Sequence, residues 1–161
     1  MRWWPLLVLA ACGDNGDVRD PRVTGECIAT FAGNFSDAST TADNCATVRP
    51  GERTELSFGI TSAVIGGTLG ITLDLGPMPL PGRYTSTTVA PWSAFAIRQV
   101  ATGGCIYQAG DTAVPPGDFT LELDELAPDA AHGTLAIDQH VLAIQGTDCG
   151  PGDTETVTIA F

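Results

Sequence analysis

Asp118-Phe119-Thr120-Leu121-Glu122-Leu123-Asp124-Glu125-Leu126 is the stretch whose spacing decides the fold. Phe119, Leu121 and Leu123 fall on one side of an extended chain and Thr120, Glu122 and Asp124 on the other, because successive strand side chains point to opposite faces. A helix would scatter the three apolar residues around its circumference, so the spacing predicts a strand with one buried and one solvated face. Downstream, residues 132–138 (HGTLAID) read as its consecutive partner with Leu135 and Ile137 inward, after a helical turn over 127–131. Residues 141–144 either continue that strand or pair with it. Val157, Ile159 and Phe161 then alternate with Thr154, Thr156 and Thr158, which makes the C-terminus a strand tied into the sheet.

The same alternation runs upstream. Leu56, Phe58 and Ile60 alternate with Glu55, Ser57 and Gly59, and Leu69, Ile71, Leu73 and Leu75 alternate again beyond Gly66-Gly67. Two such runs around paired glycines predict a β-hairpin, since glycine supplies the positive φ that tight hairpin turns require. A phosphate-cradling glycine loop would need a helix next, and residues 71–75 are strand-like. Residues 26–35 read as a first strand, 36–44 as a turn-rich connection, 45–48 as a short edge strand and 83–89 as a further strand. Phe95 and Ile97 alternate with Ala94, Ala96 and Arg98, and Thr102-Gly103-Gly104 turns that run back into Cys105-Ile106-Tyr107. Eight or nine short strands punctuated by glycine and proline, without helical periodicity, predict an all-β fold with little or no helix. An antiparallel β-sandwich is the first expectation and a partly closed β-barrel the alternative. Residues 25–161 suffice for a single domain with a real core.

Ahead of that domain, Met1-Arg2 precedes an apolar run from Trp3 to Leu9, which ends in Leu9-Ala10-Ala11-Cys12-Gly13. One positive charge, a short apolar segment and small residues beside a cysteine mark a secretory signal too short to span a bilayer. This stretch resembles the lipobox of bacterial lipoproteins. The resemblance implies a signal peptide over 1–11, cleavage before Cys12, and acylation of Cys12 as a membrane anchor, with the outer membrane favoured. Two or three acyl chains make the anchor lasting, since one alone binds marginally. Residues 12–24 read as a lipidated flexible tether spanning on the order of 20 Å.

Cys27, Cys45, Cys105 and Cys149 remain, an even number in a chain expected to leave the reducing cytoplasm. They read as two disulfides. Four cysteines allow three connectivities, and Cys27 with Cys45 and Cys105 with Cys149 is preferred because each pair closes a plausible local loop. No Cys-x-x-Cys spacing indicates zinc. Seven arginines, no lysine and nineteen acids give a net charge of −12. Such a chain lacks the basic footprint of a nucleic-acid binder, and its surface alone would not attract anionic lipid.

Candidate sites are few. Asp148, Asp153 and Glu155 flank Gly-Pro-Gly beside Cys149 and form the best candidate for a calcium ion, a hard cation that takes several carboxylates from a flexible loop. Otherwise no cofactor is indicated. Tyr84, Trp92 and Tyr107 are candidates for an aromatic platform that recognises a glycan or peptide. Glu122, Asp124 and Glu125 could supply a carboxylate pair for glycoside hydrolysis. Their simpler reading is a solvated strand face. His132 and His140 stand in no catalytic motif and read as structural or surface residues. The expectation is a cell-envelope lipoprotein whose domain binds an envelope protein or glycan, or serves structurally, without catalysis. A small carboxylate-dependent hydrolase such as a glycosidase is the alternative.

Overall fold

The computed structural model describes residues 22–23, 25–33, 38–63, 66–100, 103–127, 130–145 and 149–161. Among these there is no helix, and the all-β expectation holds: the strands form one large antiparallel sheet curled into a half-barrel. The twelve strands are β1 (Arg22–Val23), β2 (Cys27–Gly33), β3 (Ala38–Ala42), β4 (Ala46–Arg49), β5 (Glu55–Ser62) and β6 (Gly67–Asp74). The remainder are β7 (Gly82–Thr85), β8 (Trp92–Val100), β9 (Gly103–Gly110), β10 (Asp118–Leu126), β11 (Ala131–Gln145) and β12 (Thr154–Ala160). Their order is β1-β4-β5-β6-β8-β9-β11-β12-β2-β3, while β10 pairs with both β11 and β7. A continuous sheet bent on itself matches the partly closed barrel rather than two separate stacked sheets.

The bend resides in β11. Its first part pairs with β10, from Ala131 opposite Leu126 to Asp138 opposite Asp118, and its last part pairs with β9, from His140 opposite Gln108 onward. Both neighbours occupy the same edge of one 15-residue strand. A register shift between Val141 and Ala143 leaves Leu142 bulged and exposed, and such bulges bend a strand and increase its twist. β10 is thereby carried over the inner face of β8. There Phe119 packs edge-on against Trp92, with ring centroids 4.9 Å apart.

The two ends of the strand order also meet. β3 ends the path and β4 lies one strand in from its other end, after β1, yet only residues 43–45 connect them, with Asn44 at a φ of 54° in the turn. The Thr40 hydroxyl of β3 donates to that of Ser62 in β5 at 3.0 Å. The Cys27–Cys45 disulfide crosses the same seam, and Cys105–Cys149 joins β9 to the residues before β12. Both preferred pairings are therefore present. Phe161 stacks edge-on against Phe58 at 4.9 Å, tying the C-terminus across the single core.

Several local expectations change. The β5–β6 hairpin forms as spaced, with Gly66 at a φ of 66°, but Gly67 already belongs to β6 opposite Ser62. Residues 36–44, expected as a connection, contain β3, whose Ser39 and Thr40 pair with Thr30 and Ala29. β-branched side chains suit a half-solvated edge strand, so a polar run can be a strand. Of the helical turn expected over 127–131, residues 128 and 129 lie outside the described residues, while the Ala127 N–H donates to the Ala130 carbonyl at 2.8 Å and Ala131 already opens β11 opposite Leu126. Residues 141–144 continue that strand. The tether expected over 12–24 ends in β1, which pairs with β4. Its earlier part, Cys12 and the leader lie outside the described residues.

Candidate functional site

Four strands place polar side chains on the inner face of the half-barrel. Arg98 (β8) and Glu155 (β12) are each 1% exposed, while Gln139 (β11) and Tyr107 (β9) are fully buried. An Arg98 Nη1 donates to Glu155 Oε1, and Gln139 Nε2 donates to Glu155 Oε2 at 2.9 Å. The Arg98 guanidinium also lies over the Phe31 ring, 4.8 Å from its centroid. Strand pairing makes the cluster inevitable once the parity is set: Gln139 is opposite Glu155, and Tyr107 is opposite Ala96, two residues from Arg98 on the same face. The alanine leaves room for the phenol ring.

Burial raises the Glu155 carboxyl above its ordinary range, with Arg98 and Gln139 pulling in the other direction. The Tyr107 phenol is pushed up to about 12, chiefly by burial and then by the negative charges of Glu155 and Asp153. Its hydroxyl and Gln139 Oε1 have no hydrogen-bond partner among the described residues. Each such atom costs about 1–3 kcal/mol, so this is an expensive way to fill a core. Because the folded state holds the Tyr107 phenol above its ordinary 10, that stabilisation is complete below pH 10 and is lost as pH rises through about 12. In a Tyr84→Phe variant, tyrosinate absorbance should therefore rise with a midpoint near 12, together with unfolding. A midpoint near 10 in folded protein would contradict this environment for Tyr107.

The expected site residues do not converge. Glu155 faces the core and Arg98, whereas the Asp153 carboxylate accepts the Gly150 N–H at 2.7 Å. Asp148 lies outside the described residues. Among the described residues no three His, Cys, Asp or Glu side chains gather as a metal site. Trp92 is 3% exposed and Tyr107 is buried, while Tyr84 is partly buried with its hydroxyl bonded to the Leu80 backbone. The three rings therefore share no exposed platform. Glu122, Asp124 and Glu125 lie on the solvated side of β10, with Glu122 Oε1 3.4 Å from Arg83 Nε. His132 is exposed and His140 half-buried.

A shallow surface cleft of about 380 Å³ is lined by Glu55, Thr72, Asp74, Trp92, Ser93 and Asp111, among others. Glu55 and Asp74 stand directly opposite each other, an unfavourable like-charge pair unless neutralised. Arg49 lies 3.1 Å from Glu55 and Arg53 2.6 Å from Asp74, and that guanidinium holds the Asp74 carboxyl below its ordinary range. These carboxylates are thus committed to ion pairs, and Glu55 Oε1 also accepts the Ser57 hydroxyl at 3.0 Å. Sequence reasoning missed the Arg98–Glu155–Gln139 cluster, although parity carried the signal. Glu155 shares the face of Val157 and Ile159, Gln139 that of Leu135 and Ile137, and Arg98 that of Ala94 and Ala96. No known protein family matches this chain, and neither a curated protein nor a solved structure matches it.

Proposed function

We propose that this chain is a lipoprotein of the bacterial cell envelope, cleaved before Cys12 and acylated there, whose half-barrel acts outside the cytoplasm as a non-enzymatic binding or structural module. The observation that carries this reading is the sequence Leu9-Ala10-Ala11-Cys12 placed after a single arginine and a short apolar run. The two disulfides support export to an oxidising compartment, where such bonds persist. The outer membrane is the favoured location and an envelope protein or glycan the favoured partner. The inner face offers no open chemistry, since the strongest polar cluster is sealed from solvent by the core. On the outer side, Glu122 and the cleft carboxylates Glu55 and Asp74 face arginines, which does not favour the glycosidase alternative.

Expression of the full chain in a bacterium that processes lipoproteins tests the assignment by intact mass and membrane fractionation. The expected product begins at Cys12, carries two or three acyl chains and sediments with membranes. Cys12→Ala should stay unprocessed and unacylated. A wild-type product cut elsewhere, or lacking lipid, would overturn the assignment.

A further inference from the structure

The two unpartnered polar atoms of the inner face complement each other. The Tyr107 hydroxyl has an O–H to donate, and Gln139 Oε1 is an amide oxygen that only accepts. Both side chains are fully buried. A buried polar atom left bare keeps the whole penalty of its lost hydration, so native folds pair such atoms with protein or with ordered water.

Strand register sets the two residues close together. Tyr107 of β9 is opposite Val141 of β11, and Gln139 precedes Val141 by two residues on the same face. They are therefore diagonal neighbours, about 7–8 Å apart in an antiparallel pair. Each is also constrained. Gln139 Nε2 donates to Glu155 Oε2 at 2.9 Å, which fixes the end of the amide that carries the unpartnered oxygen. Tyr107 stands between Ala96 of β8 and Val141, neither of which has a polar side-chain atom. Beyond burial, the charges of Glu155, Asp153 and Arg98 all act on the phenol, so its hydroxyl lies towards the cluster that Gln139 joins.

Donor and acceptor do not meet directly, although one of each stands on adjacent strands. Whatever joins them must accept from the phenol and donate to the amide, and its charge decides its class. An anion would face the Glu155 carboxylate and has no proton to give. A metal cation would take the amide oxygen but leave the phenol proton without an acceptor, and among the described residues no three His, Cys, Asp or Glu side chains gather to hold one. A neutral molecule that both accepts and donates, and is no wider than one oxygen, satisfies both atoms. Water is that molecule, and buried waters of this kind are integral parts of folds.

We infer that the inner face of the half-barrel binds one ordered water between β9 and β11, which accepts the Tyr107 O–H and donates to Gln139 Oε1. It completes a hydrogen-bonded chain that runs from Tyr107 through the water to Gln139, and from there to Glu155 and Arg98. Side chains of β9, β11, β12 and β8 then form one buried network in place of an ion pair with two bare atoms beside it. The acylation of Cys12 has no bearing on this site.

The chain has two tyrosines, so Tyr84→Phe leaves Tyr107 as the sole phenol without touching the cluster. Ultraviolet resonance Raman of the full chain carrying Tyr84→Phe reads the state of that hydroxyl from the tyrosine doublet, and the expected pattern is that of a donating phenol. Oxygen-17 relaxation dispersion of the solvent, on the same sample, should detect at least one water that stays bound longer than the molecule takes to tumble. Adding Tyr107→Phe should lower that count by one while the far-ultraviolet circular dichroism stays unchanged. Gln139→Met makes the same comparison should Tyr107→Phe not fold. A phenol without a hydrogen bond overturns the inference, as does a sample without a long-lived water. A count that either folded variant leaves unchanged also overturns it, because the phenol would then be bonded to protein. With neither variant folded, the two readings on Tyr84→Phe decide.

Discussion

Replacing Arg98 by alanine is expected to cost about 3–5 kcal/mol of folding stability, because it leaves the Glu155 carboxylate buried without its counter-charge. The partner is 1% exposed, so water cannot substitute for the guanidinium. The loss also removes the stacking of Arg98 over Phe31. Its signature is a pH dependence. Burial already raises the Glu155 carboxyl, and removing Arg98 deletes the largest opposing influence, so the folded pKa rises further. A raised carboxyl pKa stabilises the fold below the unfolded value, and that contribution is lost as pH rises through the folded one. The deficit of Arg98→Ala, read from urea midpoints, should therefore shrink on acidification. The double change Arg98→Met with Glu155→Leu should recover to within about 2 kcal/mol of wild type, since apolar replacements of a buried pair are often neutral while the Gln139 amide loses its acceptor. A single-variant cost below about 1 kcal/mol, the value of an exposed pair, would mean that the pair is solvated.

The position of that pair shows which part of the molecule the sequence discloses. Strict alternation in 55–60, 69–75, 118–126 and 154–161 assigns faces correctly, because one side of each strand is apolar and the other polar. β8 defeats the same logic. Choosing the bulkier apolar side would bury Phe95 and Ile97, yet Phe95 is 41% exposed, and Trp92, Ala94, Ala96 and Arg98 face inward. Tertiary pairing decides there: Ala96 must be small opposite Tyr107, and Arg98 has a carboxylate waiting on β12. Parity alone could have traced Glu155 and Gln139 to the interior. A charged residue on an apolar face is discarded as a candidate only when its partner, 57 residues away, is unseen.

Closure of the sheet was less legible than its strands. Nothing local in Ser39-Thr40-Thr41 announces a strand, since its partners are supplied by β2 and the hairpin geometry. The bend of β11 depends on a bulge at Leu142, a property of how β9 and β10 share one edge and not of residue type. The aromatic platform failed for a related reason. Rings on strands pack inward when the sheet curls, and Trp92 and Tyr107 lie on its concave side.

Curling also sets the two disulfides apart in a way that loop entropy does not. On the chain-entropy model, the 44-residue separation of Cys105 and Cys149 is worth about 4 kcal/mol and the 18-residue separation of Cys27 and Cys45 about 3 kcal/mol. Cys105 and Cys149 bridge a region already held by the β9–β11 and β11–β12 ladders. Cys27 in β2 and Cys45 beside β4 instead join strands near the two ends of the strand order, where no strand pairing is described and the Thr40–Ser62 hydrogen bond is one further link. If the seam adds native-state stabilisation to the entropic part, Cys27→Ala with Cys45→Ala should cost at least as much as Cys105→Ala with Cys149→Ala, about 3–5 kcal/mol, reversing the loop-length order. Amide exchange should tell them apart: the first pair of changes should accelerate exchange in β3 and β4 while the β9–β12 ladders stay protected. Urea midpoints that follow loop length, with β3 and β4 protected as in the wild type, would show that the half-barrel keeps its seam without the covalent link.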